Sequence, residues 1–116
     1  MKKLLVCAAL ACLCGMLFAH PPKDVIVSYD PATQMVSITV THLIKESKAT
    51  DPAKHFIKDI TVFVNDAKTI VEAISAQQSD GGEKSLYLLN VKKGDKVKVT
   101  ATCSLAGSKT TEIIIK

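Results

Sequence analysis

The stretch "VKVTATC", residues 97–103, alternates apolar and polar side chains over its whole length. In an extended chain, Val97, Val99 and Ala101 lie on one side, and the lysine and threonines between them lie on the other. This alternation predicts a β-strand with one face in a hydrophobic core and the other in solvent. Cys103 has the same parity as the apolar residues, so the sequence predicts that its side chain points inward.

The same alternation recurs along the chain on both sides of this strand. Turn signals separate the alternating segments, including "DPAT" at 30–33 and "KKGDK" at 92–96. Short strands with frequent turn signals and no convincing helical pattern predict an all-β protein, an immunoglobulin-like antiparallel β-sandwich of about seven strands. The predicted strands lie in 24–30, 34–42, 55–64, 69–74, 85–91, 97–103 and 110–116, with a hairpin turn at 65–68.

The first nineteen residues have the pattern of a secretory signal peptide. Two lysines follow the initiator methionine, an apolar run reaches Phe18, and the small residue Ala19 stands at a suitable cleavage position. The sequence therefore predicts a signal peptide over 1–19, a single β-sandwich domain over 20–116, and a periplasmic or secreted location. The predicted mature chain contains no apolar run of the roughly 18 residues that a membrane-spanning helix needs.

Composition argues against a nucleic-acid-binding protein. Removal of Lys2 and Lys3 with the signal peptide lowers the formal net charge from +4 to +2, and the sequence contains no arginine. Aromatic residues make up 4% of the chain, whereas nucleic-acid-binding surfaces combine clustered arginine with stacking aromatics. No catalytic triad, paired-carboxylate or phosphate-loop pattern is present, so chemistry must come from other residues.

Cys103 is the one cysteine outside the predicted signal peptide. The other three, Cys7, Cys12 and Cys14, lie in its apolar run. A lone thiol in an oxidising compartment is buried, bound to a metal, or paired with another chain, which would make the protein a homo-oligomer. The sequence alone leaves these alternatives open.

Three histidines stand at predicted strand ends. His42 closes the second strand with inward parity, His55 opens the third, and His20 is the first residue after the predicted cleavage. In an antiparallel sandwich, the end of one strand and the start of the next lie at the same edge when the connecting loop folds back. His42 and His55 are therefore predicted to be neighbours, and Cys103 ends a strand that could reach the same edge. Imidazole and thiolate are good ligands for Zn, Cu and Fe, so a metal site competes here with solvated histidines.

Two segments resemble the iron-centre domain of desulfoferrodoxins and superoxide reductases. They are "VTHLIKESKATDPAKHFIKDITVFVND" at 40–66 and "TCSLAGSK" at 102–109. That family has an immunoglobulin-like sandwich in which four histidines bind ferrous iron in a plane and a cysteine binds axially. Superoxide is reduced to hydrogen peroxide at the open sixth position. The resemblance implies an iron cofactor, superoxide as substrate and an electron donor that the sequence does not identify.

The family motif maps onto this chain with one ligand missing. His20 with its following Pro22 matches the first histidine, His42 the second, and His55, in "KHFIKDI", the third. Cys103 matches the axial cysteine, whereas Ala106 stands where the family has its fourth histidine. The resemblance therefore implies a site of three histidines and one cysteine, and it leaves superoxide reductase activity open.

Two alternatives to an iron enzyme remain open at the sequence level. If His20 is the mature N-terminus, its α-amine and imidazole, completed by His42 or His55, would form a histidine-brace copper site in a periplasmic binding module. The other alternative is a sandwich without a metal, in which Cys103 is a small buried apolar residue.

Overall fold

The computed structural model describes residues 20–44 and 55–116, which form seven β-strands and no helix. This confirms the predicted all-β fold class, and no described segment forms a helix that would cross a lipid bilayer. The predicted signal peptide and residues 45–54, which lie between His42 and His55 in the sequence, are outside the described residues. The strands are β1 (Asp24–Asp30), β2 (Met35–Thr41), β3 (Ile57–Val64), β4 (Ala67–Ala73), β5 (Gly82–Leu88), β6 (Lys96–Cys103) and β7 (Ser108–Ile114).

The strands form two antiparallel sheets. One sheet has the order β1-β2-β5 and the other has the order β4-β3-β6-β7. In a constant-type immunoglobulin domain the fourth strand joins the first sheet, whereas here β4 pairs with β3 in the second. The sheets are tied at one side by the Thr111 hydroxyl of β7, which donates to the Val25 carbonyl of β1 at 2.6 Å.

The core consists of the inward residues of both sheets. Strand β6 alternates buried and partly exposed positions along its whole length, as predicted, and Cys103 at its end is 3% exposed. Burial of these aliphatic side chains replaces the inter-sheet disulfide and tryptophan of antibody domains as the main source of stability. The buried cluster comprises Val25, Val36, Ile38, Val40, Ile57, Ile60, Val62, Leu89, Val97, Val99, Ala101 and Ile115.

Strand β5 begins three residues earlier than its apolar pattern predicts. The prediction started the strand at Ser85, but pairing with β2 extends back to Gly82, which lies opposite Thr41. Glu83 occupies an inward position in this extension and is 2% exposed. Because this buried carboxylate interrupts the apolar alternation, the sequence pattern does not reveal the first residues of β5.

The register brings several strand termini to one end of the sandwich. Asp24, the first residue of β1, pairs with Thr41, the last residue of β2. In the other sheet, Ile57 at the start of β3 pairs with Cys103 at the end of β6. Of the residues that the sequence analysis selected, the three histidines lie just outside these strands and Cys103 is the last residue of β6.

Candidate metal centre

Three histidines meet at this end of the sandwich. His20, His42 and His55 each offer a ring nitrogen, and these nitrogens lie within 4.8 Å of one another. Their ring centroids are 4.7–5.0 Å apart, so the rings form a nearly equilateral triangle. His42 and His55 are fully buried and His20 is partly buried. The predicted proximity of His42 and His55 is confirmed.

Backbone pairing holds His42 and the segment of His20 in place. His42 follows β2 directly, and its N–H donates to the Gly81 carbonyl at 2.9 Å, so the chain stays extended past the strand end. His55 stands two residues before β3. The segment that carries His20 is fastened to β2 by the Lys23 N–H, which donates to the Thr41 carbonyl at 2.8 Å. The trio is therefore attached to both sheets.

The environment keeps the two buried imidazoles neutral. Burial lowers the pKa of His42, and the Gln77 side-chain oxygen and the His20 carbonyl oxygen, which accept hydrogen bonds from the protonated ring, offset this only in part. Burial also lowers the pKa of His55, and positive charge on His42 or His20 would lower it further. Neutral imidazoles have a free lone pair, which is the form that binds metals.

These shifts predict that acid destabilises the metal-free protein. The unfolded histidines take up protons below their ordinary pKa of 6.5, whereas the folded His42 and His55 resist protonation. The contribution of these two histidines to the free energy of unfolding is therefore fully present above their ordinary pKa of 6.5. It is lost as the pH falls towards the lower pKa values of the folded protein. We expect the Tm of the metal-free protein to fall between about pH 8 and pH 5.5. A His42→Asn variant should show a smaller fall, and an equal fall would contradict the assignment.

The trio fits one metal ion after a small contraction. Two imidazole nitrogens bound to one ion at about 2.1 Å stand roughly 3–4 Å apart, depending on the angle at the metal. The observed separations of up to 4.8 Å are slightly wider than that. His20 Nε2 lies 3.0 Å from the Leu43 carbonyl oxygen, and its Nδ1 lies 3.1 Å from the Pro21 carbonyl oxygen. Metal binding through His20 requires the exchange of one of these contacts.

A surface cleft lies beside His20, the partly buried member of the trio. Its volume is about 320 Å³, and it is lined by His20, Pro21, Pro22, Lys23 and Leu43. Because His42 and His55 are buried, His20 is the member of the trio through which a small ligand would enter. The lining has one cationic side chain, that of Lys23, and is otherwise mainly apolar.

Cys103 lies at the same end of the sandwich but is not a member of the close histidine group. Its inward orientation is confirmed by its burial, and its sulfur accepts a hydrogen bond from the Leu105 N–H at 3.5 Å. The Ser104 N–H donates to the Phe56 carbonyl at 2.8 Å, which joins the cysteine turn to the residue after His55. Ala106 lies in the same turn and has no ligand atom.

Sequence reasoning missed Gln77, which contacts the site directly. Its side-chain oxygen lies 2.8 Å from His42 Nδ1, although the two residues are 35 positions apart. Gln77 belongs to the crossover between β4 and β5, where the sequence "SAQQSDGG" indicates only a flexible turn. Nothing in that composition distinguishes Gln77 from its neighbour Gln78.

Comparison with solved structures links this architecture to a known protein. A superoxide reductase from Nanoarchaeum equitans superposes with a TM-score of 0.52 and 15% sequence identity, covering 83% of this chain and 92% of that one. The chain has the fold of a superoxide reductase. No protein-family model matches the sequence, and no curated protein sequence matches it. The likeness therefore establishes the β-sandwich fold, and the site must be judged from its own residues.

Proposed function

We propose that this chain is an exported metal-binding protein that holds one iron ion at His20, His42 and His55, with the Cys103 thiolate as a further ligand. The observation that carries the proposal is the histidine trio, because three imidazoles converge at the end of a sandwich. The superoxide reductase fold favours iron, and it favours superoxide as the substrate. The predicted signal peptide supports a periplasmic or secreted location.

Each part of the site has a role in this proposal. His42 and His55 supply neutral imidazoles from a dry interior, and His20 closes the site on the solvent side. The cleft beside His20 admits a small anion, and Lys23 favours negative charge there. Iron supplies the one electron that superoxide needs, together with two protons, to become hydrogen peroxide. Since Ala106 offers no ligand, the site has fewer imidazoles than the four of the family pattern.

Metal content tests the proposal directly. The full-length gene is expressed with its signal peptide, and the exported protein is purified without chelator and without a tag at its N-terminus. We expect close to one iron per chain and, after oxidation, a visible sulfur-to-iron charge-transfer band. Such a result would justify a superoxide assay. A protein that takes up neither iron nor copper when both are supplied contradicts the proposal.

A Cys103→Ser variant separates the cysteine from the histidines. We expect it to lose the charge-transfer band and to bind metal more weakly while it retains the fold, because serine has nearly the same shape. Unchanged metal content and an unchanged spectrum would show that Cys103 is a buried core residue and that the trio acts without it.

Copper is the second candidate, and the position of His20 favours it. A cleavage after Ala19 would give His20 a free α-amine beside its own imidazole, within reach of His42 and His55. Mass spectrometry of the exported protein locates the cleavage site. A mature chain that begins at His20 and contains one copper supports the copper-binding module, whereas a longer N-terminus excludes the brace and leaves the iron site possible.

A further inference from the structure

Gln77 connects the histidine site to both sheets. Its side-chain oxygen accepts from the Ile57 N–H at 3.1 Å and lies 2.8 Å from His42 Nδ1. Its side-chain nitrogen donates to the carbonyls of His42 and Ser79 at 2.8 and 2.7 Å. An amide side chain has two donor hydrogens and two acceptor lone pairs, so its hydrogen-bonding capacity is complete.

The backbone fixes which end of the amide faces His42. The atom that receives the Ile57 N–H must be the oxygen, because an amide nitrogen does not accept. The atom between the two carbonyl oxygens must be the nitrogen, because carbonyls do not donate. The oxygen therefore faces His42 Nδ1, and a hydrogen bond at 2.8 Å requires that this ring nitrogen carries the proton.

We propose that Gln77 is a positioning residue that holds His42 in the Nδ1–H tautomer and thereby presents Nε2 as the metal-binding atom. The second half of this inference rests on the proposed function, and the first half does not. His42 Nε2 lies 3.3 Å from the His20 carbonyl oxygen, a longer contact that metal binding at Nε2 would replace. Metal-bound histidines commonly donate their other N–H to an oxygen in this way, and loss of that partner weakens metal binding 10–100-fold.

The tautomer can be measured without a metal. Long-range proton–nitrogen NMR of metal-free protein with ¹⁵N-labelled histidine, at a pH where His42 is neutral, distinguishes a protonated Nδ1 from a protonated Nε2. We expect Nδ1–H to exceed the other form by more than about tenfold, the ratio that one buried hydrogen bond supports. Histidine free in water prefers the opposite tautomer. A predominant Nε2–H form in the wild-type protein would overturn the inference.

Three variants test whether Gln77 causes this preference. Gln77→Leu removes the acceptor and should lower Co²⁺ affinity 10–100-fold while the Nδ1–H signal is lost. Gln77→Glu keeps an oxygen for His42 and Ile57, so it should retain the Nδ1–H tautomer. Its second oxygen faces the carbonyls of His42 and Ser79 without a donor, so the free energy of unfolding should fall. Gln78→Leu is the matched control, because Gln78 contacts only the Lys84 backbone through its side chain and should leave affinity within about twofold.

The outcomes separate this inference from the proposed function. Wild-type protein that shows the Nδ1–H form but binds neither Co²⁺ nor iron would support the tautomer assignment and contradict the metal site. A Gln77→Leu variant that binds metal as tightly as the wild-type protein, with an unchanged tautomer, would overturn the role of Gln77 and leave the metal site standing. If Gln77→Leu does not fold, the tautomer in the wild-type spectrum still decides.

Discussion

Replacement of His55 by alanine is expected to remove most of the stabilisation of the protein by metal. His55 is fully buried within the trio, so its loss removes a ligand from the interior that water does not readily replace. Loss of an outer-sphere partner already weakens metal binding 10–100-fold, and loss of the ligand itself should therefore cost more than about 100-fold. His55 precedes β3, so the substitution changes no residue of the strands, but the cavity that it leaves lowers the metal-free Tm as well, and the metal-dependent rise in Tm is therefore the quantity to compare.

Thermal unfolding with and without Co²⁺ or anaerobic Fe²⁺ measures this effect. Free metal at about a hundredfold above Kd stabilises the wild-type protein by about 2.7 kcal/mol. For a domain of this size, that raises Tm by roughly 10–20 °C. At the same metal concentration, a variant with hundredfold weaker binding gains only about 0.4 kcal/mol, or roughly 2–3 °C.

Lys23→Ala is the matched control for the His55 variant. Lys23 lines the same cleft and is exposed, but its ammonium does not serve as a metal ligand at neutral pH. We expect it to keep the full metal-dependent rise in Tm. A His55→Ala variant that also keeps the full rise would place the metal elsewhere in the chain.

The fold could be predicted because the alternation of apolar and polar residues within a strand indicates which of its side chains are buried. Alternation in "VKVTATC" is a local property, and β6 buries the residues that the pattern selects. His42 is inward for the same reason, since it continues the parity of Val36, Ile38 and Val40. Even the turn at 30–33 is local, because the Asp30 carboxylate accepts from the Ala32 N–H at 2.9 Å.

The pairing partners and the surroundings of the site could not be predicted in this way. Strand β4 pairs with β3 and not with a strand of the β1-β2-β5 sheet, and this depends on contacts between segments that are distant in sequence. Gln77 reaches His42 because the β4–β5 crossover folds over the end of the sandwich, and no local pattern records that path. The contact between positions 42 and 77 forms only when the whole domain is folded, so it could not be predicted from local sequence.

The arrangement explains how three histidines can act together although they are distant in sequence. His42 extends a strand of one sheet, and His55 precedes a strand of the other. Gln77 joins these two positions through His42 and the Ile57 N–H. The separation of the imidazoles therefore depends on how the two sheets pack, so a change in that packing should alter metal binding as well as stability.

Gly82→Ala should disturb both stability and metal binding without changing a ligand. Gly82 has φ of +145° and lies opposite Thr41 at the end of the β2–β5 ladder. A Cβ there would overlap the Val40 carbonyl oxygen and would stand 3.2 Å from the His42 backbone nitrogen. The overlap is with backbone rather than a mobile side chain, so β5 must move away from β2. We expect a loss of about 3 kcal/mol or more in unfolding free energy.

Gly94→Ala separates this overlap from the cost of the backbone conformation. Gly94 has φ of +93°, but a Cβ there would have no atom within 4 Å, so only the conformational cost of about 1–2 kcal/mol applies. Urea unfolding measures both variants, and Co²⁺ titration should show weaker binding in the Gly82 variant alone. Equal losses in the two variants would mean that β5 adapts without displacing β2. Weaker Co²⁺ binding only at Gly82 would instead show that the ladder sets the position of His42, because this substitution touches no ligand side chain.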